Sequence, residues 1–310
     1  MNVLKGLALG LLGFLLFVSL STLGLAITLN QTILNPDFVA AEIDKLDASS
    51  LIKDMIQLPP DAQFMAGTID KTIDELEPWI KDQVNANVYS GYDYLLGKTE
   101  SLNIAISTEP VKESLRDNLH DEFMKSIPPE LAALSPAQIE QYFDQYYEEL
   151  SAQIPSTIEF DKNSLPPEVN STLEQVRQGI SYYQIGYWVL IAFTALVIAG
   201  IILINRQLKR TTRSIGVTCL IVGAFGFIEA FLSARYAGQL LAQFGDIPVQ
   251  LQTWMAQLIS DFMAPLQTYS IGLLIAGVVL LVVSFVYKPR QPAVEAVEIE
   301  SPSFDHNETE

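Results

Sequence analysis

Cysteine is almost absent from this 310-residue chain: the single one, Cys219, falls inside a long apolar run. The polar part of the chain therefore has no disulfide and no thiolate metal site, and its stability must come from a packed core. This argues against the disulfide-rich outer domains common in animal four-pass membrane proteins. Histidine is nearly as scarce, with two residues, of which only His120 precedes the C-terminal tail. Its surroundings, HDEF, offer no metal-ligand spacing, and a lone histidine on an acidic helix is expected to face solvent. The G-x-S-x-G, H-E-x-x-H and phosphate-loop patterns are missing. Acidic pairs such as Asp74-Glu75, Asp121-Glu122 and Glu148-Glu149 are sequence neighbours on helices, so their carboxylates diverge. Asp161-Lys162-Asn163 lacks the remaining ligands of an EF-hand loop. The sequence thus supplies no catalytic motif, and no cofactor or metal is expected.

Positive charge is also scarce in one long stretch. Between Asn30 and Tyr183 there are 27 Asp and Glu against 10 Lys and Arg, a net of -17, while the rest of the chain carries 9 acids and 8 bases. Nearly all of the overall charge of -18 therefore resides in one segment. A surface of that sign repels nucleic acid and anionic lipid heads, and suits solubility, cations or basic partners. Yet 49% of the chain is hydrophobic and its mean hydropathy is +0.26, so apolar and charged residues must be segregated.

The apolar share lies in four runs. Lys5 precedes the first, Gly6 to Leu29, which is long enough to cross a bilayer core of about 30 Å. It is read as a retained anchor in preference to a signal peptide cleaved at Gly24-Leu25-Ala26. The second, from Ile185 to Ile204, has Tyr182, Tyr183, Tyr187 and Trp188 at one end and Arg206, Lys209, Arg210 and Arg213 at the other. The third is about Ile215 to Ala234 and the fourth about Tyr269 to Tyr287, with Lys288 and Arg290 just beyond. The cation clusters share one side, so the positive-inside rule places both termini in the cytoplasm and residues 30–183 outside.

That outer segment reads mostly helical. Asn35 with Pro36 starts a helix, and Ser49 or Ser50 restarts a short one ending before Pro59-Pro60. A long helical pattern from Phe64 to Leu95, kinked or divided at Pro78, closes at Gly97. Residues 102, 104 and 106 are apolar with period two, which predicts a strand, and Thr157 to Phe160 is a short second strand to pair with it. Further helices start at Thr108 or Glu109 and at Ser135. From Glu168 to Lys209 there is no breaker, which predicts one continuous helix running out of the outer segment and through the second span. The tail after Lys288 has no apolar period and is read as disordered.

Three residues stand out as candidate functional positions. Glu229 is a carboxylate inside the third span, where it suits proton relay, cation binding or, more simply, snorkelling toward the boundary at Arg235. Trp254 and Phe262 belong to an amphipathic stretch, Val249 to Leu266, whose apolar stripe of Leu251, Trp254, Leu258, Phe262 and Leu266 opposes a polar face without Lys or Arg. That stretch is expected to pack beneath the outer segment, or to lie at the interface and close a lipid- or partner-binding groove. Gly216, Cys219, Gly223 and Gly226 fall near one face of the third span, and Ala195 with Ala199 or Gly200 on the second, as close helix packing requires. Asn30 and Asn170 begin glycosylation-type triplets.

The combination LNPDFVAAEIDKLDASSLI, YDYLLGKTESLNIAISTEPVKESL and paired prolines before the second span resembles a loose group of uncharacterised prokaryotic four-pass membrane proteins with one large exported helical domain. The resemblance implies a cell-envelope location and no particular activity.

The expected fold is mainly α: a four-helix transmembrane bundle with a mostly helical extracytoplasmic domain carrying a small two-stranded β element. The expected division is a first transmembrane helix over 1–29, an acidic outer domain over 30–183, a second span over 184–204 and a basic cytoplasmic loop over 205–214. A third span over 215–234, an outer amphipathic loop helix over 235–268, a fourth span over 269–287 and a tail over 288–310 complete it. The expected role is a non-enzymatic envelope binding or scaffold protein, with the bilayer and an envelope protein or a second copy as partners and no nucleic acid. A transport- or channel-related protein using Glu229 and the groove is the first alternative, and an exported hydrolase the second.

Overall fold

The computed structural model describes residues 3–56, 66–125, 127, 131, 134–161, 164–205, 207–241 and 248–286. Pro59-Pro60, Pro128-Pro129, Arg206, Lys288, Arg290 and the tail lie outside them. Four helices are long and apolar enough to cross a membrane: α1 (Val3–Gln31), α7 (Pro167–Asn205), α8 (Leu208–Leu241) and α9 (Val249–Val286). Between α1 and α7 come α2 (Pro36–Asp44), α3 (Ala48–Met55), α4 (Ala66–Leu95), β1 (Asn103–Ser107), α5 (Glu109–Lys125), α6 (Pro136–Ser151) and β2 (Thr157–Asp161). The described residues are mainly helical, with a two-stranded sheet.

Among the apolar helices, α1 touches each of the other three. Its Leu16 and Leu20 are buried against Val197 and Ile201 of α7 and against Cys219 and Val222 of α8. The buried positions of α7, Thr194, Val197, Ile201 and Asn205, recur at the three- and four-residue spacing of one helical seam. Toward α9, the Tyr269 hydroxyl donates to the Leu20 carbonyl at 2.9 Å. Helices α8 and α9 approach so closely that only glycine fits. A Cβ on Gly223 would stand 2.8 Å from the Ser270 carbonyl oxygen, and one on Gly277 would stand 2.7 Å from Leu220 Cγ. The small-residue face of the third span is therefore used within the chain. Of the second span's small residues, Gly200 packs against Leu12 of α1, while Ala195 and Ala199 are exposed.

The acidic part is organised on α4, a 30-residue helix that takes Pro78 in its interior without dividing. It ends as expected at Gly97, whose φ of +76° is the left-handed conformation glycine adopts at no steric cost. Helices α2 and α3 both pack on α4, α3 nearer its start, where Lys53 Nζ donates to Asp74 Oδ1 at 2.6 Å, and α2 nearer its end. The Tyr89 hydroxyl donates to Asp37 Oδ1 at 2.8 Å, Asn85 Nδ2 to Asp44 Oδ1 at 2.9 Å, and the Tyr92 hydroxyl to the Ile33 carbonyl. Asn118 of α5 donates to Thr72 Oγ1 and Glu75 Oε2 of α4 at 3.1 and 2.7 Å. Phe143 of α6, 2% exposed, centres a ring cluster with His120, Phe123 and Tyr147. Strands β1 and β2 pair antiparallel, Ile104 opposite Phe160 and Ile106 opposite Ile158.

Several details differ from the sequence expectation. The cap of α3 is Asp47, not Ser49 or Ser50, since its carboxylate accepts from the Ser50 amide at 2.9 Å. An aspartate one residue before the first helical position competes successfully with serines already inside the turn. Helix α7 is continuous through Tyr183 as expected but stops at Asn205, not Lys209. Lys209, Arg210 and Arg213 occupy the first turns of α8, where the Gln207 carbonyl takes the Arg210 amide at 3.0 Å. The amphipathic stretch 249–266 is no separate loop helix, because α9 runs unbroken from Val249 to Val286. Pro265 is tolerated within it because the missing N–H frees one carbonyl only, that of Asp261.

Candidate functional site

The residues of interest converge where α2 and α3 meet the first turns of α9. The Trp254 indole N–H donates to the Glu42 carbonyl at 2.8 Å. Lys45, just past the end of α2, donates from Nζ to Asp261 Oδ2 and to Glu42 Oε1, both at 2.7 Å. One ammonium thereby ties α2 to α9 across 216 residues of sequence. These two carboxylates, Asp261 first, raise the Lys45 pKa above its ordinary 10.5. Glu42 is 4% exposed, and its second oxygen, Oε2, has no hydrogen-bond partner. A half-satisfied buried carboxylate is costly, and Lys45 is what offsets its charge.

Beside this knot opens a cleft of about 400 Å³. Leu46 and Leu51 form one wall and Leu251 and Trp254 the other, with Lys45 and Asp47 at the lip. Two hydrogen bonds from Ser50, backbone first, hold the Asp47 pKa below its ordinary 3.8, so the lip keeps its negative charge in mild acid. The stripe on α9 is half-buried at Trp254, Leu258 and Phe262 and buried at Leu266.

The three sequence candidates are brought together only in part. Trp254 lines the cleft, while Phe262 lies on the same helix one residue from the Asp261 tie, below the cleft lining. Glu229 is exposed on α8, between the exposed side chains of Phe225, Ile228 and Leu232, and is not among the cleft residues. Glu42, Lys45 and Asp261 were not legible as a unit, because their partners are far apart in sequence and no short pattern links them. His120 departs from the expectation of a solvent-facing residue. Its Nε2 meets both Glu140 oxygens at 3.1 Å and its ring sits edge-on to Phe143, because α5 and α6 half-bury it between them. Among the described residues no group of three or more His, Cys, Asp and Glu is placed to hold a metal ion.

No family model, curated protein or solved structure matches this chain.

Proposed function

We propose that the chain is a non-enzymatic envelope protein of a prokaryotic cell membrane, holding its acidic helices on the extracytoplasmic side to bind or scaffold a partner. Both termini are cytoplasmic in this arrangement, since Lys5, the Arg206–Arg213 cluster, Lys288 and Arg290 share one side. The observation that carries the proposal is the continuity of α7 and α9. At about 1.5 Å per residue their 39 and 38 residues reach about 57 Å, nearly twice the bilayer core of about 30 Å. Both project beyond the membrane and are fastened to the acidic part, α9 through Lys45 and Trp254, α7 through Tyr94 and Arg177. Such fastening suits a domain held at a fixed height and orientation, as a scaffold needs, better than one on a tether. The packing of α1 against the other three apolar helices supports its retention as an anchor.

Gentle extraction from the native membrane, followed by affinity purification and light scattering, tests this. A partner, or a second copy, is expected to co-purify in fixed ratio with the parent and to be lost from Trp254→Ala, which opens the cleft wall and removes the tie to Glu42. Recovery of a partner-free monomer under mild conditions contradicts the scaffold role.

A further inference from the structure

Among the described residues, the cations of the acidic segment are spoken for, with one exception. Lys45, Lys53, Lys71, Lys81, Lys98, Lys112, Arg116 and Lys125 each have a carboxylate within ion-pair distance. Among the described residues of that segment, Arg177 alone has none. It is nevertheless held in place: the guanidinium lies 4.8 Å over the Tyr94 ring, and one N–H donates to the Thr99 carbonyl at 3.1 Å. Tyr94 is itself 2% exposed and donates to Glu174 Oε1 at 3.0 Å, so the platform is fixed. An arginine that is positioned but unpaired, on a surface with almost three acids for every base, is an arrangement for an anion brought from elsewhere.

Arg177 also lines a pocket of about 190 Å³. The end of α4 forms one side with Leu95, Leu96 and Gly97, and α7 the other with Arg177, Ser181 and Gln184. The last three recur at the four- and three-residue spacing of one helical face. Below them the apolar run begins at Ile185. At about 1.5 Å per residue Gln184 stands about 1.5 Å above that point and Ser181 about 6 Å, within a headgroup layer about 5 to 7.5 Å deep, and Arg177 stands about 12 Å above it, so the pocket runs from that layer up to the guanidinium just outside it. Ile185, Trp188 and Val189, each more than 60% exposed, continue directly beneath as a surface for acyl chains.

We propose that this pocket holds the phosphate of a membrane phospholipid headgroup, with Arg177 as its charged ligand and Ser181 and Gln184 as polar partners. The shared chemistry is a phosphate oxygen on a guanidinium, and the position against the span makes the lipid its source. The surrounding acidity selects the headgroup. One that also carries an ammonium, as phosphatidylethanolamine does, sets its cation against the acidic helices, whereas a net-anionic headgroup is repelled.

Native mass spectrometry of the full chain during stepwise delipidation tests the site, with dioleoyl phosphatidylethanolamine, dioleoyl phosphatidylglycerol and inorganic phosphate as probes. Phosphatidylethanolamine is expected to be retained by the parent, to be held about tenfold more weakly by Arg177→Gln and to be intermediate for Arg177→Lys. Ser181→Phe, at an exposed position, fills the pocket while leaving the guanidinium charge in place, and is expected to give the same loss if Arg177→Gln does not elute as a monodisperse species. Equal retention by the parent and the substituted proteins overturns the site. Tighter retention of phosphatidylglycerol overturns the headgroup assignment, and displacement of the lipid by millimolar inorganic phosphate overturns the lipid as source.

Discussion

Asp47 shows how single side chains set the chemistry of the acidic part. Its depressed pKa comes from capping α3, and Glu75 is likewise held below 4.5 by Asn118 and then Ser114, and Glu77 by Lys81 and then Ser49. A carboxylate whose folded pKa is lowered adds stability above its unfolded value and loses it as pH falls through the folded one. The relevant window therefore lies below about pH 4.5 for the two glutamates and below 3.8 for Asp47. Lys45 runs the other way: its pKa is raised, so its contribution is complete below 10.5 and fades only at higher pH. Thermal unfolding followed by circular dichroism in detergent is expected to be flat from pH 6 to 9 as far as these groups decide it, and to shift downward between pH 4.5 and 3. Asp47→Ala is expected to melt below the parent at pH 7, with the gap closing as pH falls below 3.8. A constant gap across that range would show that the cap is not what titrates.

At the scale of elements, the α8–α9 pair is the most sharply specified contact, because glycine backbones touch across it. Gly223→Leu places a branched side chain where 2.8 Å separates an added Cβ from the Ser270 carbonyl, and neither backbone can move without separating the helices. Gly238→Leu on the same helix meets nothing within 4 Å. The first is expected to lower the yield of folded, monodisperse protein sharply and the second to leave it unchanged, read by size-exclusion elution. Equal behaviour would mean that α8 and α9 do not pack as described. Elements were also the scale at which the sequence was most legible. Long uncharged apolar runs located the four apolar helices, Asn35-Pro36 and Ser135-Pro136 marked two helix starts, Gly97 marked a helix end, and alternation at 102, 104 and 106 marked β1. What escaped was where helices stop relative to the membrane. Hydropathy changes near Tyr269, yet the backbone of α9 does not, because an amphipathic stripe and an apolar span share one helical geometry. The junction site escaped for a related reason. Trp254 was visible as a large apolar residue on a stripe, but Lys45, Glu42, Asp261 and Arg177 read as four ordinary surface charges until the fold set them against their neighbours.

Taken whole, the molecule is two parts joined by continuous helices: an apolar bundle of α1, α7, α8 and α9, and an acidic helical body on α4 clasped at its base by Lys45 and Arg177. Almost all of its net charge lies in that body, while Lys5, Lys209, Arg210 and Arg213 lie at the opposite end of the apolar helices. The proposed role depends on which face of the membrane the body occupies. Single cysteines in a Cys219→Ala background, probed with a membrane-impermeant maleimide on intact cells, measure this directly. Lys98→Cys is expected to label without permeabilisation, and Arg213→Cys only after it. Labelling in the reverse order would put the acidic body in the cytoplasm and contradict the account.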